Sequence, residues 1–95
     1  MFSEFEWDEK KADSNRRKHG VTFEQGITAF DDYFAIIQSD DDHDEPRFVL
    51  IGESNIGVVV VSFAEREGDI TRIITVRKAT RREKLTYEQN KAVQI

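Results

Sequence analysis

The sequence predicts an α+β domain, and three observations support this. Two segments with helix-capping residues lie near the start, three runs rich in Val and Ile follow, and a third capped segment comes last. Only short polar segments separate the apolar runs, which is typical of strands joined as hairpins. We therefore expect two N-terminal helices, an antiparallel β-meander and a C-terminal helix, in a single domain over residues 1–95.

The first helix is predicted from its two ends. Before it, Phe2–Trp7 alternates apolar and polar residues, as a short edge strand does. Asp8 is a typical N-cap, and Gly20 has the backbone freedom that a helix stop needs. The negative pole of a helix favours cations in its last turn. Those cations are Arg16, Arg17, Lys18 and His19.

Two capping boxes predict where the other helices begin. Thr22 pairs with Gln25, and Thr80 pairs with Glu83. After the first box, apolar residues at helical spacing predict one buried stripe. After the second, a helix is expected to run through Leu85, Tyr87 and Glu88. The buried stripe predicted after the first capping box consists of Phe23, Ile27 and Phe30.

The strands are predicted from the apolar runs. Tyr33–Ile37 is expected to be a strand, with a helix extension as the alternative, and Gln38–Pro46 an exposed acidic loop. Phe48–Gly52, Val58–Phe63 and Ile70–Arg77 form the meander. The second of these three is apolar on both faces and is therefore expected to be central.

Composition and charge exclude several classes of protein. The chain has no cysteine, which excludes disulfides, thiolate zinc sites and cysteine nucleophiles. No apolar run approaches the ~18 residues of a membrane span and no signal peptide is recognisable, so we expect a soluble cytoplasmic protein. The net charge is −5, yet residues 10–20 carry +4 and residues 70–95 carry +5. If the fold brings these segments together, they form a cationic face that a nucleic acid could bind.

Two groups of residues are candidates for phosphate chemistry. His19, beside Lys18, either simply complements the end of its helix or acts as a proton donor or phosphate contact. Arg72 and Arg77 interrupt an apolar strand, where an arginine usually reaches a partner or a cleft. Strict alternation places these two arginines on opposite faces, so they can share a site only if a bulge intervenes or one lies beyond the strand.

RNA cleavage without a metal requires a base, a proton donor and cations that offset charge on the phosphate. Glu53, His19 and Tyr87 are the titratable candidates for proton transfer, and arginine matches phosphate oxygens with its planar fork. The acidic stretch Asp40–Glu45 lacks the glycine and the distant glutamate of a calcium-binding loop. We therefore expect a solvated loop there, with no metal site and no cofactor.

The chain resembles a known family over roughly residues 5–88. The resemblance rests on motifs that occur in the family's order and spacing. They are Phe5-Glu6-Trp7-Asp8, Lys11, Asn15, Lys18-His19-Gly20-Val21, Phe23-Glu24, Glu45 and Arg47 before Ile51-Gly52, Glu65-Arg66, Arg72-Ile73-Ile74, Arg77 to Glu83, and Tyr87. Together these motifs are similar to the BrnT family of bacterial type II toxins. Ala64 and Thr75-Val76 depart from the family's usual residues, and both changes are small.

The resemblance implies a RelE-like ribonuclease fold, RNA cleavage and growth arrest. It also implies neutralisation by a BrnA-type antitoxin with a ribbon-helix-helix segment, and repression of the operon by the complex, so operator DNA is contacted through the antitoxin. Residues of the closing strand and helix would contribute to the cleft. The predicted catalytic residues are His19, Arg72, Arg77, Tyr87 and Glu53, and the predicted RNA-binding residues are Lys18, Arg66, Lys78, Arg81 and Arg82.

The leading hypothesis is thus a metal-independent endoribonuclease toxin. The alternative is a binding module that lacks nuclease activity and acts as a co-repressor in an antitoxin–operator complex. The charge pattern adds a hypothesis of its own, in which the acidic segments steer the chain to a basic surface on the antitoxin.

Overall fold

A computed structural model describes residues 4–41 and 44–94. A short strand precedes two helices, a four-stranded meander follows, and a long helix comes last. None of the described helices is both long and apolar enough to cross a bilayer. The elements are β1 (Glu4–Glu6), α1 (Glu9–His19), α2 (Phe23–Ile27) with a 3-10 turn (Thr28–Asp31), β2 (Ile36–Asp40), β3 (Arg47–Ser54), β4 (Gly57–Arg66), β5 (Ile70–Lys78) and α3 (Arg81–Gln94).

The strands form one sheet in the order β1-β5-β4-β3-β2. The meander from β2 to β5 is antiparallel throughout, as predicted. β1 pairs with β5 in parallel, so the sheet as a whole is mixed. β4 lies between β3 and β5, and the run Val58–Val61 is buried on both faces, which confirms it as a central strand.

One face of the sheet, here called the core face, packs against α1 and α2. Its side chains alternate along each strand and form one cluster with residues of the helical layer. Trp7 packs edge-to-face on Phe23, with 5.7 Å between ring centroids, and so packs against this core. The buried members of the cluster are Val21, Phe23, Ala29, Leu50, Val59, Val61, Phe63, Ile73 and Val76.

The opposite face of the sheet, here called the second face, carries the more polar residues. Arg47 on β3, Ser62 on β4 and Thr75 on β5 belong to it by alternation and strand register. The small Ala64 is also on this face and pairs with Arg72. The second face is therefore where the strands can present polar groups to a ligand.

The predicted helix caps are all present. The Asp8 side chain accepts a hydrogen bond from the Lys10 N–H, and Gly20 adopts the left-handed conformation with φ 74°. The capping box of Thr22 and Gln25 is formed. At α3, the Thr80 N–H donates to Glu83 at 2.8 Å and the Glu83 N–H donates to Thr80 at 3.2 Å. These ends were predictable because a cap depends on residues within one turn.

Three predictions about element bounds are corrected. The strand predicted at Tyr33–Ile37 begins at Ile36 and continues to Asp40, into the segment predicted to be a loop. Pairing with β3 determines these bounds, since Ile36 lies opposite Ile51 and Asp40 opposite Arg47. Pairing with a distant segment is not readable from local composition.

The other two corrections concern helices. The second helix leaves α geometry after Ile27, because the Thr28 hydroxyl donates to the Gln25 carbonyl and the next turn is 3-10. α3 runs six residues beyond Glu88, to Gln94. Phe2 and Ser3 of the predicted edge strand, and Asp42 and His43 of the acidic loop, lie outside the described residues.

Gly26 brings α2 close to the sheet. A Cβ atom at this position would lie 2.6 Å from both γ-methyl groups of Val76, closer than carbon atoms approach. Glycine therefore permits α2 to pack directly on β5, which places the start of α2 and the end of α1 beside this strand.

Candidate active site

A basic groove is lined by α1 and by residues of β3 and β5, of which Arg47 and Thr75 belong to the second face of the sheet. Its volume is about 350 Å³. Among the described residues that line it there are three permanent cations and one histidine, and no carboxylate. The lining residues are Lys11, Ser14, Asn15, Lys18, His19, Arg47, Ile74 and Thr75.

Helical spacing explains why α1 presents these side chains. Lys11, Ser14 and Lys18 are separated by three and four residues, so they form one stripe along the helix. Two other cations of the last turn belong to a different side of the helix. Arg16 and Arg17 bind the Asp13 carboxylate at 2.8 and 3.4 Å. The basic groove thus receives only some of the cations that crowd this helix.

A β-bulge shapes the β5 side of the groove. Ser62 pairs with Thr75, whereas the next residue of β4, Phe63, pairs with Ile73. Ile74 is therefore the extra residue of β5, and the side-chain alternation shifts by one position there. Ile74 and Thr75 consequently line the groove together although they are consecutive in sequence.

The same bulge decides the positions of the two arginines of β5. Arg72 pairs with Ala64 and Arg77 with Val60, two positions of β4 that point to the same face. The two arginines therefore share the second face, through a bulge of the kind that the sequence argument required. They are nevertheless about 13 Å apart along the strand, since four residues of β4 separate their partners.

Each of these arginines is held by a carboxylate. Arg72 binds Glu6 on the neighbouring β1 at 2.9 Å. Arg77 forms a two-pronged pair with Glu83, with contacts of 2.7 and 2.8 Å. The hydrogen bond that Arg77 donates to Glu83 is the main cause that raises the pKa of Arg77. The same pair lowers the pKa of Glu83 to about 2.

Tyr87 and Glu53 meet at a different place, near the start of α3. The buried Tyr87 hydroxyl donates to the Asp32 carboxylate at 2.5 Å, and the Glu53 N–H donates to the same carboxylate at 2.8 Å. Burial, followed by the bond to Asp32, raises the pKa of Tyr87. We call Asp32, Arg77, Glu83 and Tyr87 the α3 junction, because they attach α3 to the rest of the fold.

Asp32 is the anionic centre of this junction. Burial acts to raise its pKa, but the hydrogen bonds from Glu53, Tyr87 and Phe34, with the charge of Lys91, hold its pKa below the usual value. An ionised Asp32 accepts three hydrogen bonds, so it joins the turn after α2, β3 and α3.

The structure therefore divides the predicted catalytic residues. His19 lies in the basic groove, whereas Tyr87 and Arg77 lie at the α3 junction and Arg72 pairs with β1. Glu53 is an exposed residue near the far end of β3, about 20 Å along the strand from Arg47. The structure does not bring Glu53 or Tyr87 together with His19.

The predicted RNA-binding residues are divided in the same way. Lys18 lines the basic groove. Arg66 binds Glu45 at 3.5 Å at the opposite end of the sheet from Lys78, the last residue of β5. Arg81 and Arg82 are exposed on the first turn of α3. Among these five predicted residues, the groove includes only Lys18.

Sequence reasoning missed Lys11, Arg47 and Thr75 as site residues. The spacing of seven between Lys11 and Lys18 is a signal that could have identified Lys11, because it places both on one helical face. Arg47 and Thr75 reach the groove only through strand pairing and the bulge, for which the local sequence carries no signal. No group of three or more potential metal ligands occurs among the described residues.

Comparison with known proteins identifies the chain. A family model described as "Ribonuclease toxin, BrnT, of type II toxin-antitoxin system" matches residues 7–83, which is most of the sequence. The chain belongs to the BrnT family. This confirms the resemblance drawn from the sequence and makes the chain a ribonuclease toxin of a type II system by family.

The fold agrees with this BrnT assignment. The crystal structure of the Brucella abortus ribonuclease toxin BrnT, at 1.1 Å resolution, matches with a TM-score of 0.58 and 24% sequence identity. The match covers 83% of this chain and 100% of that one. At this level of identity the likeness concerns the fold alone. A comparison with curated proteins gave no match.

Proposed function

We propose that this BrnT-family chain is a metal-independent endoribonuclease toxin whose active site is the basic groove. The observation that carries the proposal is the composition of the groove, which Lys11, Lys18 and His19 line together and in which no described lining residue is a carboxylate. The phosphate of a bound RNA is negatively charged, and the cations of the groove would stabilise that charge.

The chemistry is in-line attack of a ribose 2′-hydroxyl on the adjacent phosphorus. The P–O5′ bond breaks as the O2′–P bond forms, which leaves a cyclic phosphate and a 5′-hydroxyl. We propose that His19 donates the proton that the leaving 5′-oxygen needs and that water takes the proton of the 2′-hydroxyl, because His19 is the groove residue with an imidazole side chain, the group most often used for proton transfer. Lys18 and Arg47 would offset charge on the phosphate.

Arg72 and Arg77 have a lesser part in this proposal. Both are bound to carboxylates, so each could contact RNA only after a phosphate displaced Glu6 or Glu83. Tyr87 is assigned to attachment of α3 rather than to proton transfer, because its hydroxyl is bound to Asp32. Glu53 is not assigned to proton transfer because it lies near the far end of β3 and does not line the groove. The surface cations Arg66, Lys78, Arg81 and Arg82 would act on RNA only at a distance.

The partner and the substrate of this activity are inferred from the family. A toxin of a type II system implies an antitoxin partner and an RNA substrate. We propose that the antitoxin is of the BrnA ribbon-helix-helix type, that the complex contacts operator DNA through the antitoxin, and that the chain acts in the cytoplasm with a RelE-like fold. The acidic segment between β2 and β3 suits a basic surface of such a partner.

Cleavage of purified RNA in EDTA tests the enzymatic proposal. The intact chain should cut RNA, its antitoxin should stop the cutting, and His19→Ala should abolish it while the melting temperature stays nearly unchanged. Intact RNA in the presence of folded protein, with or without added Mg²⁺, would contradict the proposal.

One observation favours the alternative, a non-catalytic co-repressor. The two arginines expected to hold the scissile phosphate are both occupied by carboxylates. A chain of this kind would bind the antitoxin and strengthen operator binding without cutting RNA. The two functions separate in the EDTA assay, since the co-repressor leaves RNA intact at every protein concentration.

A further inference from the structure

Asn15 is one of the few buried polar side chains of the described residues, with 6% of its surface exposed. It lies on α1, one turn before Lys18 and His19. Its Nδ2 donates to the Val76 carbonyl at 2.8 Å and to the Val21 carbonyl at 3.3 Å, while its Oδ1 accepts from the Val76 N–H at 3.1 Å. Three hydrogen bonds therefore converge on a single side-chain amide.

The sheet explains why an amide belongs at this position. β1 pairs with β5 only as far as Arg72, so no strand of the described residues lies beside this edge of β5 at Val76. A side-chain amide carries a carbonyl acceptor and two N–H donors, so it can pair with the N–H and the carbonyl of one backbone residue and still donate one more hydrogen bond. Asn15 thus takes the place of a neighbouring strand at this one position, because its side chain pairs with both the N–H and the carbonyl of Val76.

The same hydrogen bonds hold the two walls of the basic groove, α1 and β5, in fixed positions. Val76 follows Thr75 in the β5 wall of the groove, and Val21 follows the glycine that ends α1. Asn15 therefore ties the last turn of α1 both to the opposite wall and to the start of the next segment. A shift of α1 along the strand would break these bonds before it could move Lys18 or His19.

We propose that Asn15 is a positioning residue for this groove. It holds the last turn of α1 against β5, so that His19 keeps a fixed place opposite Thr75 and Arg47. This inference rests on the proposed ribonuclease function, because only a reacting RNA gives the position of His19 a catalytic consequence. Errors of about 1 Å in a reacting group can reduce a rate by two orders of magnitude.

The test compares Asn15→Asp with Val59→Ala. Asn15→Asp keeps the size of the side chain and the acceptor for the Val76 N–H, but it loses both donated bonds. Val59 is fully buried in the core cluster and is not among the residues that line the groove, so its truncation destabilises the fold without removing a groove residue. Both variants are assayed on a short RNA at a temperature where each is fully folded by circular dichroism.

We expect kcat to fall by at least about tenfold in Asn15→Asp and in Asn15→Ser, with KM within about threefold in Asn15→Ser, which leaves the phosphate-binding cations in place and adds no charge. Val59→Ala should keep kcat within about twofold. Equal kcat values for wild type and Asn15→Asp would overturn the proposal. So would equal losses in the two variants, which would make Asn15 a purely structural residue.

A second readout separates this inference from the proposed function. The His19 ring and the Thr75 amide are followed by NMR in the free protein, which requires no cleavage. In Asn15→Asp their resonances should shift while those of α3 stay in place, whether or not the wild type cuts RNA. Unchanged resonances would overturn the inference. If the aspartate variant does not fold, Asn15→Ser provides the same comparison.

Discussion

The basic groove and the α3 junction use the same kinds of side chain in opposite ways. In the groove, Lys11 and Lys18 line a cavity in which no described lining residue is a carboxylate. At the junction, Arg77 faces Glu83 and Tyr87 faces Asp32, so each functional group has an anionic partner within the fold. The comparison teaches that residue type alone does not identify a phosphate site. The neighbouring charges decide whether a cation is available to a substrate or holds a helix in place.

Removal of the groove histidine should give the largest effect on activity. His19→Ala is expected to reduce RNA cleavage by at least about 100-fold, because general acid–base catalysis contributes two to four orders of magnitude. Stability should change by less than about 0.5 kcal/mol, since the side chain is only partly buried. Initial rates of cleavage and thermal melting measure the two quantities. A large loss of stability with cleavage retained would place the active site elsewhere.

The two neighbouring lysines of α1 offer a matched pair. Lys11 lines the basic groove and Lys10 does not. Lys11→Gln should weaken RNA binding by up to about tenfold and reduce the slope of log affinity against log salt by about 0.7, the effect of one fewer phosphate contact with a single strand. Lys10→Gln should change the slope much less. Equal slopes for both variants, measured by fluorescence anisotropy at several salt concentrations, would contradict the groove as the binding site.

At the α3 junction the expected effect is on stability. Tyr87→Phe removes the hydroxyl that donates to Asp32, and a hydrogen bond to a charged group contributes about 1.5–3 kcal/mol. The melting temperature should fall by several degrees, since about 1 kcal/mol corresponds to 4–8 °C in a domain of this size. RNA cleavage by the folded fraction should stay within about twofold of wild type. Loss of cleavage without loss of stability would instead restore Tyr87 as a proton donor.

The smallest expected effect concerns pH. Arg77 lowers the folded-state pKa of Glu83 to about 2 from an ordinary value of 4.5. This pair therefore stabilises the fold above about pH 4.5, and the contribution is lost as the pH falls toward 2. Solvent screens the partly exposed pair, so about 1 kcal/mol is expected. Urea unfolding of wild type and Glu83→Gln should diverge above pH 5 and converge near pH 2. Parallel curves at all pH values would contradict this role.

The predictable part of the fold was the part encoded locally. The caps at Asp8, at Thr22 with Gln25 and at Thr80 with Glu83 depend on side chains within one turn, and all three are formed. The meander was also predictable, because its apolar runs and short turns leave few other pairings. The true extent of β2 was not predictable, because it depends on pairing with β3.

The candidate site was predictable only in part. His19 and Lys18 were found because they occur in a cationic helix end, and the groove includes both. Arg47 and Thr75 join them through register and through the bulge at Ile74, neither of which is visible in composition. Arg77 was predicted to be a phosphate ligand because it interrupts an apolar strand, while Glu83 was predicted only to cap α3. In the structure the Glu83 carboxylate both caps α3 and binds Arg77.

The most direct test of the groove is to map where RNA binds. Two-dimensional NMR of the isotope-labelled chain would be recorded with a short RNA carrying 2′-O-methyl groups, which cannot supply the attacking hydroxyl. Backbone signals of Lys11 to Gly20, Arg47 and Ile74–Thr75 should shift, and those of Thr80 to Tyr87 should not. Shifts confined to α3 and its junction, with an unchanged groove, would contradict the account.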